Sequence, residues 1–245
     1  MHTEREQRIL EILLKEKKVS VKDLSKRLFT SEPSIRRDLV SLENQHLLKR
    51  IYGGAILEEN DTTRRRIPFI LREMDQQQEK IRIAQRAASF IDDGTVIFLD
   101  ASSSAYNMIP YLTAKKDLTI ITNGVKALMN LSETHIRTVS TGGVLLNSSY
   151  ALVGDESYKT IDRYNADFFF FSCRGLSDDG ELTDISEQED YVRTRMIERS
   201  KSSYLLCNSN KISTKYFHHL CHASQLDGII SECVPPEKLK PYFVE

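Results

Sequence analysis

The stretch Thr30-Ser31-Glu32-Pro33-Ser34-Ile35-Arg36-Arg37-Asp38-Leu39, with Lys49-Arg50-Ile51-Tyr52-Gly53-Gly54-Ala55 a short way on, decides the fold of the first part of this 245-residue chain. Ser31 is placed to accept a backbone N–H as a helix N-cap, and Pro33 suits the first helical turn, where its missing N–H costs little. Ser34, Arg36 and Arg37 then fall in the opening turns of the helix. That part of a recognition helix reaches base edges in a major groove.

The flanking sequence extends the pattern. Ile9, Leu10, Ile12 and Leu13 give a helical apolar face between Thr3 and Glu16. Val19 and Val21 make a brief extended link, and Leu24 and Leu28 mark a short helix over 22–28. Ile35, Leu39 and Leu42, spaced four and three apart, predict one buried stripe, which leaves Ser34, Arg36, Arg37 and Ser41 towards solvent. Residues 47–57 read as extended, with Gly53-Gly54 as the tight turn and Arg50 and Tyr52 beside it. Three helices and a hairpin make a winged helix-turn-helix. A small helical domain whose arginines decorate a solvated face explains the arginine pair alone, but not the cap, the pair and the Gly-Gly wing together.

In these positions residues 5–55 resemble the DNA-binding domain of DeoR-type bacterial transcriptional regulators. That family carries Ser-x-x-Thr-Ile-Arg-Arg-Asp-Leu and then Arg-x-x-Gly-Gly-Ala. Here Ser31, Ile35, Arg36, Arg37, Asp38 and Leu39 stand in register, followed by Arg50, Gly53, Gly54 and Ala55. Ser34 replaces the family's threonine, keeping a hydroxyl for a phosphate and losing the methyl that touches thymine. Asp38, an acid in a basic helix, is expected to pair with a neighbouring arginine and orient it.

Charge divides the chain. Residues 1–66 hold 15 Lys+Arg against 11 Asp+Glu, and the remainder holds 19 against 24, so a basic head precedes a mildly acidic body although the net charge is only −1. The N-terminal stretch is charged throughout and no apolar run approaches the ~20 residues that cross a bilayer, so a cytoplasmic protein without membrane contact is expected. Cys173, Cys207, Cys221 and Cys233 form no paired framework. On a helix, His218, Cys221 and His222 would share a face suited to zinc; a partly exposed polar helix explains them equally well, and neither metal nor cofactor is expected.

Asn60 to Arg66 reads as a linker, either a solvated hinge or an auxiliary phosphate contact. Residues 68–74 are expected to pack that hinge against the body, and a helix runs from Gln76 towards Asp92-Asp93-Gly94. Short apolar runs then alternate with helices, which predicts a largely parallel α/β sheet. The strands fall at 95–99, 118–122, 136–140, 168–172, 203–206 and 228–230. An amphipathic helix follows the first and reaches Leu112, and another spans 125–131. Ligands of such sheets sit at the carboxyl ends of the strands. Asp100, Ser102, Ser103 and Ser104 are the foremost anion-binding candidates there, with ordinary N-capping as the alternative. Lys211 offers a counter-charge, or is a surface lysine.

The resemblance continues through the body. DeoR-type effector domains share a fold with ribose-phosphate isomerases and glucosamine-phosphate deaminases and sense phosphorylated sugars. The matching residues are Leu99-Asp100, Ser103-Ser104, Thr122-Asn123, Gly142-Gly143, Gly154, Asp167, Ser209 and Lys211. Ser102 stands where the family commonly has glycine, and Asn208 where it has aspartate. Asp184, Glu187 and Glu189 have three readings: proton-transfer groups, partners of sugar hydroxyls, or salt-bridge partners of Arg193 and Arg195.

The expectation is therefore a winged helix-turn-helix domain over 1–58, a hinge over 59–75 and an α/β effector domain over 76–245. Ser31, Pro33, Ser34, Arg36, Arg37, Arg50, Tyr52, Gly53 and Gly54 would meet double-stranded operator DNA. Asp100, Ser102, Ser103, Ser104, Thr122, Asn123, Gly142, Gly143, Asp184, Glu189 and Lys211 would meet a phosphorylated sugar. The implied function is a repressor of carbohydrate-metabolism genes acting as a homodimer or larger assembly, and not an enzyme. The alternative is a sugar-phosphate isomerase- or deaminase-like enzyme with a DNA-binding head, and no histidine falls in the expected pocket loops to serve it. Intact Arg36 and Arg37 argue against a pure interaction module.

Overall fold

The computed structural model describes residues 3–57 and 68–244, so the linker over 60–66 lies outside the described residues. The chain divides into two compact units, Met1–Asp75 and Gln76–Glu245.

In the first unit, α1 (Glu4–Glu16) opens on a capping box: the Thr3 hydroxyl accepts from the Glu6 N–H at 3.2 Å, and the Glu6 carboxylate accepts from the Thr3 N–H at 2.8 Å. Lys17 ends it in the left-handed region and leads into β1 (Lys18–Ser20). The Ser20 hydroxyl caps α2 (Val21–Arg27) by accepting from the Asp23 N–H at 3.0 Å. The third helix, α3 (Glu32–Asn44), buries Ile35, Leu39 and Leu42 against Ile9, Leu10, Leu13 and Leu24. Each such side chain contributes about 1.5–3 kcal/mol on burial, enough in sum to fix the angle of α3.

The wing consists of β2 (Lys49–Ile51) and β3 (Gly54–Ile56), with β1 paired on the other side of β3 in the order β1-β3-β2. The tight turn is Tyr52-Gly53 rather than Gly53-Gly54. Gly53 takes φ +76°, whereas Gly54 is already in β3. Gly54 is required for another reason: a Cβ there would stand 2.0 Å from the carbonyl oxygen of Val19. The last helix of the unit is α4 (Phe69–Met74). It places Leu71 in the core built by α1, α2 and α3.

The second unit begins with α5 (Gln77–Ala88) and β4 (Val96–Leu99). The helix expected to run on to Leu112 is broken into α6 (Ser103–Tyr106) and α7 (Ile109–Leu112). Pro110 supplies no N–H to a continuous helix, and the Asn107 side chain turns back to donate to the Ser103 carbonyl at 2.7 Å. Next come β5 (Thr119–Thr122), α8 (Val125–Leu131), β6 (Arg137–Ser140), β7 (Val144–Leu146), β8 (Ala151–Val153), α9 (Asp155–Ile161) and β9 (Ala166–Phe171). The chain closes with β10 (Gly175–Leu176), β11 (Glu181–Asp184), α10 (Glu187–Glu198), β12 (Ser200–Leu206), β13 (His218–His222) and β14 (Gly228–Ile230).

Six strands form one sheet in the order β14-β12-β9-β4-β5-β6, every neighbouring pair parallel. The central β9 reads Phe168-Phe169-Phe170-Phe171, a run suited to a strand covered on both faces. Phe169 and Phe171 enter the core that holds Ile161 of α9 and Val192 and Met196 of α10. Phe170 enters the opposite core, with Ile83 of α5, Ile109 of α7 and Leu131 of α8. Because all six strands run one way, their carboxyl ends share one edge of the sheet. Ser231, Asn208, Ser172, Asp100, Asn123 and Thr141 follow the strands there.

A smaller antiparallel sheet, β10-β11-β13, carries the His218–His222 segment. That segment is a strand and not the helix that would have gathered His218, Cys221 and His222 on one face. It pairs with β11 through a bulge at Leu182/Thr183, and Cys221 turns into the core. Among the described residues no group of three or more His, Cys, Asp or Glu is arranged to hold a metal ion, and no helix is long and apolar enough to cross a membrane.

Candidate functional site

On α3, burial of Ile35, Leu39 and Leu42 leaves Arg36 and Arg37 exposed on the far side. Arg36 Nη2 meets Glu32 Oε2 at 3.0 Å, and Arg37 Nη2 donates to Ser34 Oγ at 3.2 Å. Ser31 occupies the N-cap position but makes no capping hydrogen bond; its hydroxyl lies 3.0 Å from that of Ser34. Pro33 stands second in the helix and removes one of the two N–H groups an N-cap can reach, leaving that of Ser34. The result is a polar line, Ser31–Ser34–Arg37, along the exposed start of α3.

Asp38 pairs with Arg5 of α1, at 2.5 Å to Nε and 2.9 Å to Nη2, and not with Arg36 or Arg37. It is nearly buried, and its hydrogen bond and charge raise the pKa of the Arg5 guanidinium. Asp38 thus ties α3 to α1 and leaves the two exposed arginines to other partners. At the wing, Tyr52 is fully exposed at the turn. Arg50 is clamped by Glu43, which accepts from its backbone N–H at 2.8 Å and from Nε at 2.5 Å. Those two bonds hold the Glu43 carboxyl below its usual range.

In the second unit the carboxyl edge of the sheet is built around Arg193 of α10, a buried guanidinium. Its Nε meets Asp100 Oδ2 at 3.1 Å; its Nη1 meets Asp184 Oδ2 at 2.9 Å and Asp190 Oδ1 at 2.6 Å; Nη2 lies 3.6 Å from Glu189 Oε2. Asp184 and Glu189 therefore serve Arg193. Arg195 instead faces Asp162 and Glu198, and Glu187 accepts from the Tyr191 hydroxyl. Arg193 stays charged: burial works against it, but the surrounding carboxylates raise its pKa well above the usual value. Burial pushes the Asp190 carboxyl up to about 6, opposed by Arg193 and by His218, whose Nδ1 lies 2.7 Å from Asp190 Oδ2.

The same network reaches the strand ends. Asp100 Oδ1 accepts from the Ser102 N–H at 3.1 Å, and Lys211 Nζ donates to Ser172 Oγ at 2.6 Å. Ser102 has an extended backbone, φ −75°, and caps α6 by accepting from the Ala105 N–H; its replacement of the family's glycine forces no left-handed turn. Ser103 and Ser104 are buried beside it. Thr122 Oγ1 accepts from the Gly124 N–H, and Asn123 Nδ2 donates to the Leu152 carbonyl. The Gly142 carbonyl accepts from the Ser157 hydroxyl, and Gly143 lies against the Val153 backbone. Asp167 accepts from the Val96 N–H and is structural.

Three buried atoms along this edge have no hydrogen-bond partner among the described residues: Ser104 Oγ, Asn123 Oδ1 and Asn208 Oδ1. Buried polar atoms are normally satisfied, and these follow β4, β5 and β12 on one edge of the sheet. Asp190 and Ser172 were missed in the sequence, and His218 was read there only as a candidate zinc ligand. Only the i, i+3 spacing of Asp190 and Arg193 signalled any of them.

A winged-helix unit followed by a parallel α/β unit with a polar strand-end site defines a two-part sensor–effector class. Two family models match this chain: the DeoR-like helix-turn-helix domain over residues 5–61 and the DeoR C terminal sensor domain over residues 75–232. The chain belongs to the DeoR family of transcriptional regulators. It is 34% identical to the HTH-type transcriptional regulator YulB of Bacillus subtilis, over 94% of this chain and 88% of that protein. Against the L-fucose operon activator of Haemophilus influenzae the identity is 32%, over 97% and 95%. Against the glycerol-3-phosphate regulon repressor of Escherichia coli it is 26%, over 96% and 92%. Among solved structures, the translation initiation factor eIF-2B of Pyrococcus horikoshii superimposes with a TM-score of 0.50 at 13% identity, covering 93% of this chain and 86% of that one, a likeness of fold alone.

Proposed function

We propose that the chain is a homo-oligomeric repressor of carbohydrate-metabolism genes, released from its operator by a phosphorylated sugar bound at the carboxyl edge of the six-stranded sheet. The observation that carries the DNA half is the exposed start of α3, where Ser31, Ser34 and Arg37 line one side with Arg36 exposed beside them, and the wing presents Arg50 and Tyr52. Arg36 and Arg37 contact base edges and phosphates, Arg50 and Tyr52 the backbone or minor groove, and Pro33, Gly53 and Gly54 shape the two elements. One such unit makes few contacts, so a dimer placing two α3 helices about one helical turn apart on DNA supplies the affinity.

For the effector half, Asp100, Ser102, Ser103, Ser104, Thr122, Asn123, Gly142, Gly143 and Lys211 supply hydroxyls, amides and a cation. Asp184 and Glu189 act through Arg193. The relative named for a glycerol-3-phosphate regulon supports a phosphorylated ligand, and the relatives include both a repressor and an activator. The test is an electrophoretic shift with DNA from upstream of the chain's own gene. The expected result is retardation that a member of a sugar-phosphate panel reverses and inorganic phosphate does not; no retardation at any protein concentration overturns the reading.

A further inference from the structure

β7 and β8 form a two-stranded antiparallel sheet separate from the main one, with Leu145 opposite Leu152. The outer side of β8 is taken. The Leu152 N–H donates to the Asn123 carbonyl at 2.7 Å, and the Tyr150 carbonyl accepts from the Val125 N–H at 2.8 Å. In an antiparallel pair, residues alternate between bonding across the pair and pointing away from it. Leu152 points away, so Leu145 does too, and its N–H and C=O face out from the other side of β7. Among the described residues no strand pairs with that side.

The side chains leave this edge open as well. Val144 is 67% exposed and Leu145 43%. Tyr150 is exposed beside them, and Met129 stands exposed on α8 one turn after Lys126, whose Nζ lies 5.4 Å over the Tyr150 ring. From Thr138 to Gly154 the chain carries no Asp, Glu, Lys, Arg or His, although 28% of its residues are charged. Strand edges that stay free in solution are blunted by charge or proline, and β7 has neither.

We propose that β7 joins two copies of this chain, each pairing antiparallel with its equivalent about a two-fold axis at Leu145. The two Leu145 residues then exchange N–H···O=C bonds, and Val144 of each copy lies opposite Leu146 of the other. The composition favours a second copy over an unlike protein. In a contact of this symmetry every group near the axis meets its own kind, so charge there repels itself and an uncharged apolar strand does not. The inference rests on the homo-oligomeric reading proposed above and gives that reading a surface.

The test is sedimentation velocity on the full-length wild type, Leu145→Pro and Val144→Lys, each first shown to be folded by thermal unfolding. Leu145→Pro removes an N–H that pairs with no strand of the chain itself, at an edge where proline is tolerated. Val144→Lys brings two like charges to the axis from an exposed position. Both variants should have half the mass of the wild type at the same concentration. Leu145→Cys provides a check independent of destabilisation. Paired Cα atoms at the axis lie about 5.5 Å apart, so mild oxidation should give a disulfide-linked dimer that the wild type, with its native cysteines, does not form. Wild-type mass for Val144→Lys together with no Leu145→Cys crosslink overturns this inference and leaves the oligomer reading standing. A wild type that is monomeric at every concentration overturns both.

Discussion

At the scale of single residues, the two exposed arginines of α3 differ in what holds them. Arg36 is paired with Glu32, an acid that competes with a phosphate, whereas Arg37 leans on the neutral Ser34 hydroxyl and exchanges it for DNA at little cost. Arg37→Ala should weaken operator binding by about 1–3 kcal/mol, measured by fluorescence anisotropy. Its unfolding curve should be unchanged, since it truncates an exposed side chain. Asp190 makes a second prediction. Burial raises its pKa to about 6, above the ordinary carboxylate range, so its contribution to stability is present in acid and is lost as pH rises through about 6. Asp190→Asn removes that dependence. The melting temperature of the variant minus that of the wild type should therefore increase between about pH 5 and about pH 7; a flat difference would show that Asp190 does not titrate there.

Elements were legible in the sequence where period and local chemistry agreed. The apolar stripe of α3, the strand at Gly228–Ile230 and the helix at Val125–Leu131 all lie where spacing put them. What was hidden depended on partners distant in the chain. His218–His222 reads as either helix or strand until β11 claims it, and α4 looks like hinge until the core of the first unit takes Leu71. The Gly-Gly wing was visible, but the separate jobs of its glycines were not. Gly54→Ala drives a Cβ into the Val19 carbonyl and should cost about 3 kcal/mol, near the top of the overpacking range. Gly53→Ala meets open space and bears only the left-handed penalty, about 1 kcal/mol. Urea denaturation should give that order. Of the second site, the serine loop and Lys211 were readable as polar strand ends. Arg193 appeared only as a salt-bridge partner, because the acids it gathers come from β4, β11 and α10. Arg193→Ala leaves those carboxylates buried without their cation and should cost about 3–5 kcal/mol by the same measurement.

At the scale of the molecule, a net charge of −1 conceals a basic first part and an acidic remainder, an arrangement that favours DNA at the first part over the second. A ligand that binds only the folded second unit raises its apparent stability, and it releases DNA only by favouring an arrangement in which the first unit binds less well. The central claim, that the exposed start of α3 reads sequence, is tested most directly by anisotropy titration of two duplexes of equal length: the operator from upstream of the gene and a scrambled version. The account predicts that the wild type prefers the operator by about a thousandfold or more and that Arg37→Ala loses much of that preference while still binding both duplexes weakly. Equal affinity of the wild type for the two duplexes would contradict it.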